Sequence, residues 1–213
     1  MGIKITISLT QQDFMRLLHR QDLYNWSCFD KERNIDFNSI AWIRSEGNVL
    51  IDPLPLSTHD HEHLNSLGGA KWIVVTNSDH VRAAKEIAHV TNAQIVGPSA
   101  EQNTFPISCD YWLSDGKQLV PGLEVIELHG SKTPGELALV LERTTLITGD
   151  LVRSHQPGSL TILPDNKLSN RQQAVTSVHR LAQISDITTI LVGDGWSVFR
   201  NGSLVLNELA ASL

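Results

Sequence analysis

The sequence predicts a mixed α/β domain of two stacked sheets with helices on the outside, and three observations lead to it. Two successive runs of apolar, strand-length segments follow one another, and each run closes in helix–strand alternation. No repeat, low-complexity tract or Pro/Gly-rich linker divides the 213 residues, so residues 1–213 read as a single domain. The hydrophobic fraction of 41% against 19% charged residues is enough for a sizeable core.

Each element has its own signal. Lys4–Leu9 is strand-like, and Gln11–His19 is an amphipathic stretch leading to the short apolar piece Tyr24–Trp26. Ser39–Arg44 alternates apolar and polar residues, Ser45-Glu46-Gly47-Asn48 turns, and Val49–Leu54 returns, which is a hairpin pattern. A helix is expected from Ser57 to Leu67, stopped by Gly68-Gly69. Trp72–Thr76 reads as a buried strand. The spacing of Val81, Ala84, Ile87 and Ala88 predicts a helix over Val81–Val90, and strand Ala93–Val96 follows. The second run holds Gln118–Val120, Leu123–Leu128, Leu137–Leu141 and Leu146–Thr148, the last two joined by a short turn. A helix from about Asn170 to Ile184 places Ala174, Val178, Leu181 and Ala182 on one face. Strand Thr189–Val192 and a helix near Leu204–Ala211 complete the pattern.

Composition excludes several classes of function. The net charge of −6 removes the electrostatic case for wrapping nucleic acid or binding an anionic membrane. No apolar run reaches the ~18 residues of a membrane span, and the first residues lack the apolar stretch of a secretory signal, so cytoplasm is the expected location. Cys28 and Cys109 are the only cysteines and form no C-x-x-C pair, which argues against a disulfide scaffold or a cysteine-based zinc site.

Chemistry-bearing residues gather where strands end. Trp72–Thr76 runs into Asn77-Ser78-Asp79-His80, Val125–Leu128 into His129-Gly130-Ser131-Lys132, Leu146–Thr148 into Gly149-Asp150, and Thr189–Val192 into Gly193-Asp194-Gly195. Ligands of α/β proteins collect beyond such carboxyl ends. Asp and Asn after one strand are ordinary turn formers and caps. Several ends furnished with Asp, His, Lys or Arg point to a site.

The order of these motifs resembles the metallo-β-lactamase fold superfamily over roughly residues 39–200. Asn48-Val49-Leu50-Ile51-Asp52-Pro53 is similar to that family's opening strand and Asp turn. Thr76-Asn77-Ser78-Asp79-His80-Val81-Arg82 falls where the family writes T-H-x-H-x-D-H, and Gly130-Ser131-Lys132-Thr133-Pro134-Gly135 resembles its P-G-H-T-P-G loop. Thr148-Gly149-Asp150 and Val192-Gly193-Asp194-Gly195 stand for its G-D and its closing G-H-G. The resemblance implies a four-layer αββα sandwich. Carried over position by position, the histidines of the first motif become Asn77, Asp79 and Arg82 and its Asp becomes Val81. The loop histidine becomes Lys132 (Ser131 if the register shifts by one), and the last histidine becomes Asp194. Asp150 alone keeps its family role, that of a metal-bridging carboxylate.

A zinc pair needs several neutral imidazoles and an open position for activated water. A guanidinium or ammonium has no lone pair to offer and carries the metal's own sign of charge. The expected site therefore holds no metal. Arg82 and Lys132 stand in for the two ions among Asp79, Asp150 and Asp194, with Asn77 alongside, all at one edge of the sandwich. Such a pre-paired pocket would present donors to a small anionic ligand. His80 is the first acid–base candidate, because a nearby carboxylate would raise its pKa, and Asp150 stands with it as a reacting group. His129 is the second candidate histidine.

His59-Asp60-His61-Glu62-His63 imitates the family's histidine motif but follows the wrong strand, so it is expected as a solvated helix face remote from Asp150. Ser154–Pro164 is long for a connection and is expected as an ordered loop over or beneath the pocket. Three readings stay open. The first is a metal-free pocket that binds or slowly hydrolyses an anionic molecule. The second is a hydrolase with one divalent ion (Mn, Mg, Fe or Zn) on Asp79, His80, Asp150 and Asp194. The third is a non-catalytic scaffold or homodimerisation module.

Overall fold

The computed structural model describes residues 12–213, so the strand expected over Lys4–Leu9 lies outside the described residues. Among the described residues the first sheet has seven strands in sequential order. They are β1 (Gln12–Leu17), β2 (Leu23–Asp30), β3 (Ile35–Trp42), β4 (Val49–Ile51), β5 (Trp72–Val74), β6 (Gln94–Pro98) and β7 (Tyr111–Leu113). Pairing is antiparallel from β1 to β4 and parallel from β4 to β7. Parallel pairing needs crossovers, and helices α1 (Thr58–Ser66) and α2 (Ala84–Thr91) supply the first two.

The second sheet contains β8 (Leu123–Leu128), β9 (Glu136–Leu141) and β10 (Thr145–Thr148). A small hairpin of β11 (Val152–Arg153) and β12 (Thr161–Ile162) follows, then helix α3 (Arg171–Ala182), β13 (Thr189–Val192) and helix α4 (Gly202–Ala211). The sheet order is β13-β10-β9-β8, with β13 parallel to β10 and the other pairs antiparallel.

Strand alternation divides the core into three layers, and that division is the αββα sandwich. On β8 and β9, Val125, Leu137, Leu139 and Leu141 face the first sheet and join Ile40, Ile51, Val74 and Leu191 between the sheets. Their neighbours Ile126, Leu128, Ala138 and Val140 face outward under α3 and α4, against Ala174, Val178, Leu181 and Leu206. The outer face of the first sheet packs Leu50, Ile73 and Ile95 against Leu64, Ala84 and Ile87 of α1 and α2. All six residues of β9 are buried, as a strand covered on both faces must be.

Several sequence expectations shift. The amphipathic stretch around residues 12–17 forms strand β1, which pairs with β2, and the buried Asp60 of α1 accepts its Met15 N–H at 2.8 Å. The β3 strand begins at Ile35 rather than Ser39, because it pairs along its whole length with β2. The second helix starts at Ala84, since Arg82 has φ +44°, which a helix cannot pass through. Gln118 makes only an isolated bridge to Glu124. Helix α1 is as expected: the Ser57 hydroxyl accepts from Asp60 N–H at 3.1 Å and Gly68 and Gly69, both at positive φ, end it.

Ser154–Pro164 does form an ordered structure, with Ser154 bridged to Gly195 beside the last strand end. Gly195 has φ +95°, and a Cβ there would lie 1.6 Å from the Ser154 carbonyl oxygen. Gly158, at φ +79°, has nothing within 4 Å of such a Cβ. Gly158→Ala is therefore expected to cost only the left-handed backbone penalty, ~1–2 kcal/mol. Gly195→Ala should cost at least ~2 kcal/mol more, because a backbone atom must also move. Urea unfolding of the two variants measures the difference, and equal losses would contradict the close approach.

Candidate functional site

The site lies where strands of both sheets end. Asp52 follows β4, Thr76 to Arg82 follow β5, Gly149-Asp150 follow β10, and Gly193-Asp194 follow β13. Arg153 arrives on β11. Asp52 takes φ +48° and directs its carboxylate back onto the loop after β5. Its Oδ1 accepts from Thr76 N–H at 2.7 Å, and its Oδ2 accepts from the Thr76 hydroxyl at 2.6 Å and pairs with His80 Nδ1 at 2.7 Å.

With Nδ1 engaged, His80 Nε2 faces Asp150 Oδ1 at 3.7 Å and Asp194 Oδ1 at 3.9 Å. The imidazole is buried. Burial and the Arg82 guanidinium push its pKa down, Asp52 and Asp150 push it up, and the carboxylates prevail, so the ring titrates above its ordinary value. Burial alone would raise the Asp150 pKa. The imidazole of His80, together with Arg153 and Lys132, holds it below the usual carboxylate range instead.

Two guanidiniums lie among these acids. Arg82 donates from Nη1 to the carbonyls of Asn38 (2.6 Å) and Asp52 (3.0 Å), and its Nη2 reaches the Gly193 carbonyl and Asp194 Oδ1, each at 3.4 Å. That Nη2 lies 3.5 Å from His80 Nε2. Arg153 Nη2 pairs directly with Asp194 Oδ2 and lies 3.4 Å from Asp150 Oδ1. The centre thus holds three carboxylates, two guanidiniums and one imidazole, all largely withdrawn from water.

Asn77, His80, Arg82, Asp150 and Asp194 come together as the sequence implied. Asn77 is buried, its Oδ1 accepts from Asp79 N–H at 2.9 Å, and a Cβ on Gly149 would approach its Nδ2 to 3.0 Å. Three other expectations fail. Lys132 does not enter the centre: it is 44% exposed and pairs with Asp79, itself 42% exposed, in a rim ion pair. The second inner cation is Arg153 instead. Asp79 accordingly leaves the set of conceivable metal ligands, because the short turn Ser78–His80 points its carboxylate to the rim while turning His80 inward. His129 is exposed, and its backbone N–H and carbonyl are both bonded to the Ser177 hydroxyl, so it belongs to the packing of α3.

His59 is exposed and its ring meets Phe14, while His63 meets Tyr24. Neither these two nor His61 joins the group around Asp150.

Sequence reasoning passed over Arg153, Glu136 and the hub role of Asp52. Glu136 opens an otherwise apolar strand, a signal that was available. Its Oε2 accepts from the Ser131 hydroxyl at 2.5 Å and Leu151 N–H donates to its Oε1 at 2.9 Å. Complete burial and the nearby Asp150 charge push its pKa up to about 7.

The fold implies a metal site, and the donor set here differs from what a zinc pair needs. Among the described residues, His80, Asp150 and Asp194 place one ligand atom each within 4.8 Å of one another. Only one imidazole is available, and guanidinium nitrogens already lie against Nε2 of His80, both oxygens of Asp194 and Oδ1 of Asp150. A zinc pair does not fit this set.

A family model described as the metallo-beta-lactamase superfamily matches residues 15–213. No curated relative matches the sequence. Among solved structures, DIM-1 metallo-beta-lactamase superposes with a TM-score of 0.73 at 16% identity, covering 95% of this chain and 99% of its own. The metallo-beta-lactamase from Pontibacter korlensis gives 0.73 at 15% identity over 95% and 100% of the two chains. FIM-1 from Pseudomonas aeruginosa, in its mono-zinc form, gives 0.74 at 13% over 95% and 96%. At these identities the likeness is one of fold.

The Glu136 acid has a measurable consequence. A carboxyl whose folded pKa is about 7 binds more protons folded than unfolded between its ordinary value of 4.5 and 7, so its burial costs stability as pH rises through that window. Glu136→Gln removes this cost. Relative to wild type the variant should gain on the order of 2 kcal/mol between pH 5 and pH 8, read by urea unfolding at the two values. A pH-independent difference would show that Glu136 is ionised throughout.

Proposed function

This chain belongs to the metallo-beta-lactamase superfamily, and on that premise we propose that it is a hydrolase-like member that works without the zinc pair. In this reading Arg82 and Arg153 hold the buried carboxylates, and His80 serves as the acid–base group toward a small anionic molecule. The observation that carries the reading is the pair of guanidiniums lodged against Asp194, one from each side, with Arg82 also beside His80 Nε2. They supply the positive charge that metal ions would otherwise supply.

The Asp52–His80 pair fixes which ring nitrogen carries the hydrogen bond and leaves Nε2 for proton transfer, as general acid–base work requires. Support for an anionic ligand comes from buried donors. Asn77 Nδ2 and Arg153 Nε have no hydrogen-bond partner among the described residues, and an acceptor-rich ligand would satisfy them. Cations also frame the approach: Arg33 and Arg82 both stand 5.6 Å from the Phe37 ring centre, and Lys132 lies on the rim.

A second reading, a hydrolase with a single divalent ion, is favoured by the convergence of His80, Asp150 and Asp194. It requires both guanidiniums to withdraw.

A melting scan decides between them. A ligand at a hundredfold excess over its Kd stabilises the native state by ~2.7 kcal/mol. Neither equimolar zinc nor a chelator is expected to shift the melting temperature, whereas inorganic phosphate should raise it. Replacing both cations (Arg82→His with Arg153→His) removes the repulsion and adds two imidazoles, so this double variant should begin to bind zinc. Wild-type protein that melts lower in chelator and recovers with one equivalent of metal would establish the second reading.

A further inference from the structure

A cavity of about 430 Å³ opens beside β1, β2 and β3, and none of His80, Arg82, Asp150, Arg153 or Asp194 lines it. Its size falls in the ~300–1,000 Å³ range of small-molecule pockets. Ile40 and Leu191, members of the inter-sheet core, form part of its wall. Leu17, Trp196 and Phe199 also line it, and they are 51%, 54% and 44% exposed. These are three of the eight large apolar side chains left exposed among the described residues, gathered at one opening. Such clustering marks a binding surface rather than the scattered exposure of an ordinary exterior.

The same cavity has a buried polar wall. Asn25 Nδ2 donates to Ser27 Oγ at 3.1 Å, Ser27 Oγ donates to Asn38 Oδ1 at 2.9 Å, and Asn38 Nδ2 donates to the carbonyls of Val192 and Gly195. Asn25 Oδ1 accepts from Arg16 Nε at 3.1 Å. An amide nitrogen carries two hydrogens, and the hydrogen bonds among the described residues use one of those on Asn25, a side chain more than nine-tenths buried. The remaining donor calls for an acceptor. Arg16 and Asp36, the two charged lining residues, are opposite in sign, so the cavity carries no net charge to attract an ion.

We propose that this cavity is a second ligand site, for an uncharged amphipathic molecule with a flat apolar body and one hydrogen-bond acceptor. The flat body lies against Trp196 and Phe199, and the acceptor takes the Asn25 amide hydrogen. The site does not include His80, and its test reads binding rather than turnover.

Two shape-matched probes test it on the full chain: 2-acetylnaphthalene, which carries an acceptor, and 2-ethylnaphthalene, which does not. Titration followed by ligand-observed NMR should show saturable binding of 2-acetylnaphthalene at one equivalent. The ethyl probe should bind roughly tenfold more weakly, the worth of one hydrogen bond. Leu17→Arg and Trp196→Ala, both at exposed positions, should each weaken the acetyl probe by roughly tenfold or more with the melting temperature unchanged. Val90→Arg, exposed elsewhere, should leave binding as it is. Binding that does not saturate, that ignores both rim variants, or that is equal for the two probes would overturn the proposal.

Discussion

Three carboxylates, Asp52, Asp150 and Asp194, are brought almost dry to the seam between two sheets, and the rest of the structure answers to that burial. An unpaired buried charge costs several kcal/mol, so each acid must meet a cation or a row of donors. Asp52 meets both, in Thr76 and His80. Asp150 and Asp194 share Arg153, and Asp194 also takes Arg82. The groups that satisfy these acids come from both sheets and from the small hairpin, so the charge pairing ties these parts together. The strain of Arg82, held at φ +44°, is the local expense of aiming its guanidinium at carbonyls from three separate segments.

How much of this the sequence disclosed depended on how local each feature is. Helix α1, with its Ser57 cap and Gly68-Gly69 stop, and the alternating strands β8 and β9 carry their signals within a few residues, and they were legible. The edge strand β1 was not, because Gln11–His19 mixes apolar and polar residues in a pattern a helix shares, and only pairing with β2 settles it. At the site, Arg82, Asp150 and Asp194 were legible as strand-end residues. Arg153 was not, because its position depends on β11 pairing with β12 across an intervening loop. The carboxylate that the sequence led one to expect beside His80 is not its sequence neighbour. Asp79 beside it in sequence turns outward, and Asp52, 28 residues earlier, holds the ring.

Position-by-position transfer misassigned Lys132 for a related reason. A motif fixes sequence order, whereas entry into a dry centre depends on the side chain's direction and on the shape of its charged end. A lysine ammonium is compact and strongly hydrated, and it stays at the rim with Asp79. A guanidinium is planar and weakly hydrated, with donors spread over a fork. It can touch two carboxylates, as Arg153 does, or gather carbonyls and a carboxylate, as Arg82 does. Both inner cations are accordingly arginines.

The fourth acid completes the reasoning. Arg82, Arg153 and the imidazole of His80 are engaged by Asp52, Asp150 and Asp194. Glu136 sits near Asp150 and, among the described residues, hydrogen-bonds the Ser131 hydroxyl and the Leu151 amide rather than a cation. Burial and the Asp150 charge raise the pKa of this carboxyl to about 7, while His80 and Arg153 hold that of Asp150 down. The opposite shifts of these two acids follow from burial without a paired cation at Glu136 and from contact with His80 and Arg153 at Asp150. A dication seated among His80, Asp150 and Asp194 would have to displace the guanidiniums of Arg82 and Arg153 that lie against them.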